Sequence, residues 1–197
     1  RSFVNAIVGL HATGGSTNHT LHLPAMAAAA GIELRWDDFA DLSEVVPLLA
    51  RIYPNGSADV NHFHAAGGLG FVLRELLTAG LLDGGAATVW GKSLFDYMVE
   101  PKLHANGVEF APAPENSLDM DTLRPLSQPH QPNGGLAILS GNLGRAVIKI
   151  SAVDPTNHRI TAPAIVFDNE ADVKTAFNEG RLTGDIAVVV RPHGPKV

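Results

Sequence analysis

Five of the chain's 13 prolines (Pro112, Pro114, Pro125, Pro129 and Pro132) fall between residues 111 and 134, among Asn, Gln, Ser and His. Proline fixes φ and lacks an N–H, so neither a helix interior nor a central strand passes easily through such a stretch. Its composition reads as a linker over residues 112–134, and it divides two halves whose hydrophobic periods differ. Before it, apolar residues recur at helical spacing; beyond it the period falls towards two. The expected fold class is therefore α/β, or α+β within these residues. A helix-rich part of an α/β domain covers 1–111, and a β-rich domain covers 135–197.

Within the first half, residues 3–10 fit either a strand or the end of a helix. Gly14 and Gly15 make a turn, Ser16 or Thr17 supplies an N-cap, and the helix that follows closes at Gly31. Pro24 must kink that helix or open a second one. The alanines from Ala25 to Ala30 present side chains small enough for close packing. Residues 32–35 read as extended, and 42–52 as a helix capped by Asp41 or Ser43. Leu69, Val72, Leu73, Leu76 and Leu77 trace one buried helical face that ends at Gly80. Val89-Trp90-Gly91 reads as a strand, and Ser93 as the cap of a helix over 94–103. In the second half, strands are expected at 136–139 and 146–150 around a Gly141-Asn142 turn, and at 164–167 and 186–191. A helix over 170–178, capped by Asp168 or Asn169, precedes Gly180.

His11-Ala12-Thr13-Gly14-Gly15 is echoed by His64-Ala65-Ala66-Gly67-Gly68. Local duplication and two uses of one device for close helix entry both account for the echo. Glycines let a backbone approach a ligand, and a helix N-terminus offers unpaired N–H groups and the positive end of a dipole. Gly14, Gly15, Ser16, Thr17 and Asn18 are thus candidate donors to a phosphate or carboxylate. The same glycines also suit tight helix packing. Asn142 and Lys149 are further candidates, although Lys149 fits an exposed strand charge as well.

The formal net charge is −6 and no basic block occurs, so no footprint for nucleic acid is present. No apolar run reaches transmembrane length and no signal-peptide pattern opens the chain, so no membrane role is expected. There is no cysteine, which removes disulfides, thiolate nucleophiles and cysteine-held metal from these residues; a cytoplasmic setting is the natural expectation. Nine histidines are present. His19 and His22 are spaced to share a helix face, and His62 and His64 alternate as on a strand. No glutamate sits inside a histidine pair as in a zinc-protease helix, so no metal ligand is assigned. Asp37, Asp38 and Asp41 are accounted for by a helix dipole. Neither a Gly-x-Ser-x-Gly elbow nor a Walker A ending appears, and no catalytic residue is assigned. The chain opens on Arg1 and stops just after a strand-like run, as a fragment of a longer protein would.

The stretch Gly9-Leu10-His11-Ala12-Thr13-Gly14-Gly15-Ser16-Thr17-Asn18-His19-Thr20-Leu21-His22-Leu23 closely resembles the Gly-Gly-Ser-Thr-Asn segment of the dihydroxy-acid dehydratase and phosphogluconate dehydratase family. Ala65-Ala66-Gly67-Gly68, Gly80-Leu81-Leu82, Thr88-Val89-Trp90-Gly91-Lys92, Ser140-Gly141-Asn142-Leu143, Ala146-Val147-Ile148-Lys149 and Gly194-Pro195-Lys196 follow in family order. The resemblance covers essentially the whole chain. The His-flanked motif and the short Gly-Asn-Leu-Gly-Arg turn look like the 6-phosphogluconate branch.

The resemblance implies a lyase that dehydrates 6-phospho-D-gluconate to 2-dehydro-3-deoxy-6-phosphogluconate in the Entner–Doudoroff pathway. It also implies an iron–sulfur cluster (4Fe–4S) as Lewis acid, a divalent metal, a homodimer and a cytoplasmic location. In the family, an α/β cluster-binding domain precedes a β-barrel-like swivelling domain. The family's cluster cysteines, metal-binding carboxylates and catalytic serine region match nothing in this chain, so these 197 residues alone are expected to be inactive. Another sugar-acid or dihydroxy-acid dehydratase, and a non-catalytic anion-binding or dimerisation module, are the alternative readings.

Overall fold

In a computed structural model, which describes residues 1–191, the chain divides into two units, Arg1–Asp154 and a second that begins at Pro155. Gly194-Pro195-Lys196 lie outside the described residues. The first unit holds α1 (Ser2–Thr13), α2 (His19–Ala29), α3 (Trp36–Val45), α4 (Val60–Ala65) and α5 (Gly68–Thr78). Two antiparallel hairpins follow in the same unit, β1 (Val99–His104) with β2 (Gly107–Pro112), and β3 (Ala137–Gly141) with β4 (Gly144–Ile148).

The ambiguous run at 3–10 is helical, and α1 is the spine of the core. Ile7 and Leu10 join Leu23, Phe39 and Leu136 in one apolar cluster. Val8 and Ala12 join Leu49, Phe71, Val72, Leu76 and Leu123 in another. α1 stops where Gly14 takes φ 58°, a left-handed conformation that costs glycine little. The N–H groups of Gly14 and Gly15 then reach back to the carbonyls of His11 (3.2 Å) and Leu10 (2.9 Å), closing the helix in a Schellman-type cap.

Proline chemistry decides several of the remaining boundaries. Pro24 lies inside α2 and cannot donate to Thr20 four residues back, and the indole Nε1–H of Trp36 donates to that carbonyl instead (3.1 Å). The helix expected over 42–52 begins earlier, at Trp36, and ends at Val45. Pro47 forces its predecessor Val46 into an extended conformation (φ −99°, ψ 113°). Residues 48–52 then run extended, bridging to Gln131, Leu123 and Ala58. Ser93 does cap a helical turn, accepting from the Phe95 N–H at 3.2 Å, but the turn is a 3-10 segment limited to Leu94–Tyr97. Pro101 is unsuited to a helix interior, and Asn106-Gly107 favours a hairpin, so 99–112 forms β1 and β2. Val89-Trp90-Gly91 is bent and outside any sheet; Trp90 packs edge-on against Tyr97 and tilted against Phe110.

The apolar stripe on α5 points inward through Val72, Leu76 and Leu77, while Leu69 is exposed. The alanines of α2 do not all pack: Ala27 is buried, and Ala25, Ala28 and Ala29 face solvent. The proline-rich stretch is irregular yet packed, with Leu123 fully buried and Arg124 N–H bound to Leu49 O at 2.8 Å. In the second unit, β5 (Ala164–Phe167) pairs in parallel with β6 (Ala187–Val190) across α6 (Glu170–Asn178). Asn169 caps α6 by accepting from the Asp172 N–H at 2.9 Å. Among the described residues the strands form three two-stranded sheets with no closed barrel. No described helix is long and apolar enough to cross a membrane.

Two histidines in the first unit are held neutral by their surroundings. His11 is fully buried, with Nε2 2.9 Å from the Phe39 carbonyl; burial lowers its pKa, and that hydrogen bond partly opposes the shift. Burial lowers the His130 pKa to about 4, assisted by the positive charges of Arg124 and Arg51. Because the unfolded chain binds these protons more readily, stability falls as pH drops from about 6.5 towards about 4. This window lies above that of Asp59 and Asp119, whose pKa values are lowered chiefly by hydrogen bonds from His62 and Thr122 and whose contribution is lost in more acid solution. Urea unfolding midpoints measured from pH 7 to pH 4 are expected to decline less steeply in His130→Gln, and an unchanged slope would contradict the assignment.

Candidate functional site

The loop between α1 and α2 is best understood by following its N–H groups. Those of Gly14 and Gly15 are spent on the end of α1, so neither is available to a ligand. The first turn of α2 is also largely self-satisfied: His19 N–H donates to Ser16 O, Thr20 N–H to Thr17 O, and Leu21 and His22 N–H both to Asn18 O. Ser16 Oγ accepts from the Asn18 N–H at 3.2 Å, and Asn18, rather than Ser16 or Thr17, occupies the N-cap position. The N–H groups of Ser16 and Thr17 make no hydrogen bond to the described residues. These two amides, with the hydroxyls of Ser16 and Thr17, are the donors that the loop can offer.

They open onto a cavity of about 420 Å³ lined by Gly14, Gly15, Ser16, Thr17, Tyr53 and Lys149, among others. Lys149 follows β4 and reaches the loop across a long separation in sequence, its Nζ donating to Gly14 O at 2.8 Å. Partial burial lowers its pKa. The β3–β4 hairpin that delivers it is fastened to α3: Ser43 Oγ donates to Leu136 O at 2.5 Å, and Arg145 pairs with Asp37. Asp37 and Asp38 lie in the first turn of α3, as their dipole role requires, and Asp38 also accepts from the Arg35 N–H at 2.7 Å.

A second donor to Gly14 O is the buried side chain of Asn55, through Nδ2 at 2.9 Å. Its Oδ1 accepts from Ser151 Oγ at 3.0 Å, and Ser151 Oγ lies 3.2 Å from Gly135 O. A Cβ at Gly14 would stand 2.0 Å from Asn55 Nδ2, and one at Gly135 would stand 2.6 Å from Ser151 Oγ. Glycine at Gly14 therefore serves both the left-handed turn and the approach of the amide. The sequence alone singles out neither Asn55 nor Ser151. The Tyr-Pro-Asn-Gly turn signals only a chain reversal, and nothing local reveals that its Asn is buried.

The structure thus brings together Gly14, Gly15, Ser16, Thr17 and Lys149. Asn18 is exposed beside the cavity but does not line it, and Asn142 sits at the exposed tip of the β3–β4 turn, away from the lining residues. The second glycine pair follows α4, with Gly67 (φ 134°) as the N-cap of α5 and Gly68 (φ 59°) as its first residue. Like the first, it is a device for leaving one helix and entering the next. His62 and His64 lie on α4 rather than on a strand, and His62 Nδ1 contacts Asp59 Oδ1 at 2.8 Å. Among the described residues no three His, Cys, Asp or Glu side chains gather as a metal site. With no cysteine in the chain, these residues do not fit an iron–sulfur cluster as its ligands.

The donor set suits one anionic group: the residues that carry a cation, two hydroxyls and two amides without a partner line the same space. Its geometry depends on the buried amide. Asn55→Ala leaves Gly14 O with one donor fewer and Ser151 with Gly135 O alone, and is expected to cost about 1–3 kcal/mol in urea unfolding. Asn142→Ala, at an exposed tip, is expected to stay within about 0.5 kcal/mol. Equal effects at the two positions would contradict the network.

Residues 1–97 match the family model described as dihydroxy-acid/6-phosphogluconate dehydratase N-terminal, and residues 121–197 match its C-terminal counterpart. The chain is 58% identical over 197 residues to a phosphogluconate dehydratase of Rhizobium meliloti (strain 1021), covering 100% of this chain and 32% of that protein. It is 55% identical over 193 residues to the phosphogluconate dehydratase of Escherichia coli (strain K12), covering 98% and 32% respectively. A dihydroxy-acid dehydratase of Caldanaerobacter subterraneus subsp. tengcongensis is 38% identical, over 99% of this chain and 33% of its own length. The chain spans about a third of the length of these curated relatives. On both family matches, one on either side of the 98–120 segment, the chain belongs to the dihydroxy-acid/6-phosphogluconate dehydratase family.

Proposed function

We propose that the chain forms part of a hydro-lyase that dehydrates 6-phospho-D-gluconate to 2-dehydro-3-deoxy-6-phosphogluconate. In this reading the Ser16–Thr17 loop and Lys149 hold an anionic end of the substrate. Relatives named phosphogluconate dehydratase reach 58% identity, against 38% for a dihydroxy-acid dehydratase, which favours the phosphorylated sugar acid. The observation that carries the local reading is the Lys149 ammonium held 2.8 Å from Gly14 O beside two uncommitted amides.

The role assigned to these residues is binding and orientation. Asn55 keeps Gly14 O satisfied while Lys149 turns its ammonium towards an incoming anion, so the turn need not rearrange when the lysine changes partner. Ser16 and Thr17 add neutral donors, whose direction fixes the anion better than a mobile ammonium alone. No proton transfer is assigned to any group in this chain. The family resemblance extends the proposal to a 4Fe–4S cluster acting as Lewis acid, a divalent metal, a cytoplasmic location and a homodimer. The cluster's ligands are then residues outside this chain, which contains no cysteine.

The reading is tested in the complete enzyme by replacing Ser16 and Thr17 together with alanine. The Michaelis constant for 6-phosphogluconate is expected to rise about tenfold with turnover at saturation largely kept, because binding rather than chemistry loses donors. An unchanged Michaelis constant would sink the ligand role. Dehydration of a dihydroxy acid in preference to 6-phosphogluconate by the unaltered enzyme would move the substrate to the other branch of the family.

A further inference from the structure

Across residues 51–58 from the cavity just described lies a second one, of about 330 Å³, whose lining includes Arg51, Ser57, Asp121, Thr122, Arg124 and His130. Backbone pairing assembles it. Arg51 N–H donates to Thr122 O at 2.8 Å, Arg124 N–H to Leu49 O at 2.8 Å, and His130 N–H to Leu48 O at 2.9 Å. Three segments remote in sequence thereby place two guanidinium groups and an imidazole around one space.

Each arginine is anchored by one nitrogen only. Arg51 Nε donates to Asn55 O at 3.3 Å, and Arg124 Nε donates to Met120 O at 2.9 Å. Among the described residues neither guanidinium forms an ion pair, although four other arginine and lysine side chains of this unit do so. The terminal nitrogens of both arginines are left to the cavity. His130 Nε2 is buried with no hydrogen-bond partner, which is unusual for a polar atom removed from water. The N–H groups of Gly56 and Ser57, at the edge of the same cavity, also make no hydrogen bond to the described residues. Asp121 supplies one opposing charge, so the cluster is cationic with the imidazole neutral.

We propose that this cavity is a second anion site, separate from the Gly14 loop, that takes a phosphoryl group. Two guanidinium forks match a group carrying close to two negative charges and three outer oxygens, whereas one fork suffices for a carboxylate. The P–OH of a monohydrogen phosphate placed between the arginines also gives the acceptor nitrogen of the neutral imidazole a donor. The inference rests on these side chains and stands whether or not the Ser16–Thr17 loop binds substrate.

Inorganic phosphate, titrated calorimetrically into the full-length protein, tests it. A saturable component is expected that is weakened about tenfold or more in Arg51→Gln and in Arg124→Gln, by the same factor whether Ser16 and Thr17 are intact or both alanine. Thermal unfolding of each variant, followed by circular dichroism, ensures that a lost site is distinguished from a lost fold. Arg124→Lys, which keeps the charge without the fork, is expected to retain only part of the affinity. Tighter binding of glycerol 3-phosphate than of phosphate would identify a phosphate ester as the ligand, and equal binding would identify the free ion. Absence of saturable binding, equal affinity in the arginine variants, or acetate binding as tightly as phosphate would each overturn the proposal.

Discussion

One carbonyl oxygen, that of Gly14, organises the region in which the known features of this chain converge. It lies just beyond the last turn of α1, where helix carbonyls lack intrahelical donors and the dipole is negative. A buried amide, Asn55 Nδ2 at 2.9 Å, and an ammonium, Lys149 Nζ at 2.8 Å, both donate to it. Those donors come from segments that are otherwise unrelated, the turn after residue 50 and the end of a hairpin nearly 100 residues later. Each such bond is worth about 0.5–3 kcal/mol net, so the importance of the node is positional more than energetic. Without it, Lys149 and the Ser16–Thr17 amides have no reason to face one cavity.

That arrangement changes what the glycine pair means. Glycine followed by small hydroxyl residues and a helix suggests an open set of amides at a helix N-terminus. The structure assigns the Gly14 and Gly15 amides to the preceding helix and most of the next helix's first amides to the turn itself. The anion-binding capacity moves to Ser16, Thr17 and a lysine from elsewhere in the chain. A local motif can indicate that a backbone turns tightly. It does not tell which of its donors remain after the turn has been made.

Legibility followed the range of the interaction. The α5 face, the Asn169 cap, the Gly141–Asn142 hairpin and the β5–α6–β6 succession depend on neighbours within a few residues, and all are present. The helices expected over 42–52 and 94–103 do not run through Pro47 and Pro101, because the missing N–H outweighs the apolar spacing there. The proline-rich stretch looked like a spacer by composition, yet its Leu123 is fully buried against α1 and α5. Asn55, Ser151 and the Arg51–Arg124–His130 cluster were invisible because each owes its meaning to partners more than 60 residues away or to burial itself.

The central claim is that the Gly14 node presents Lys149, Ser16 and Thr17 to an anionic end of the substrate. A crystal structure of the complete enzyme with 6-phosphogluconate bound addresses it most directly. The account expects a phosphate or carboxylate oxygen within about 3.2 Å of Lys149 Nζ and of the Ser16 or Thr17 amide, with Asn55 still on Gly14 O. A bound substrate that leaves Lys149 on Gly14 O and places no oxygen near those amides would contradict it.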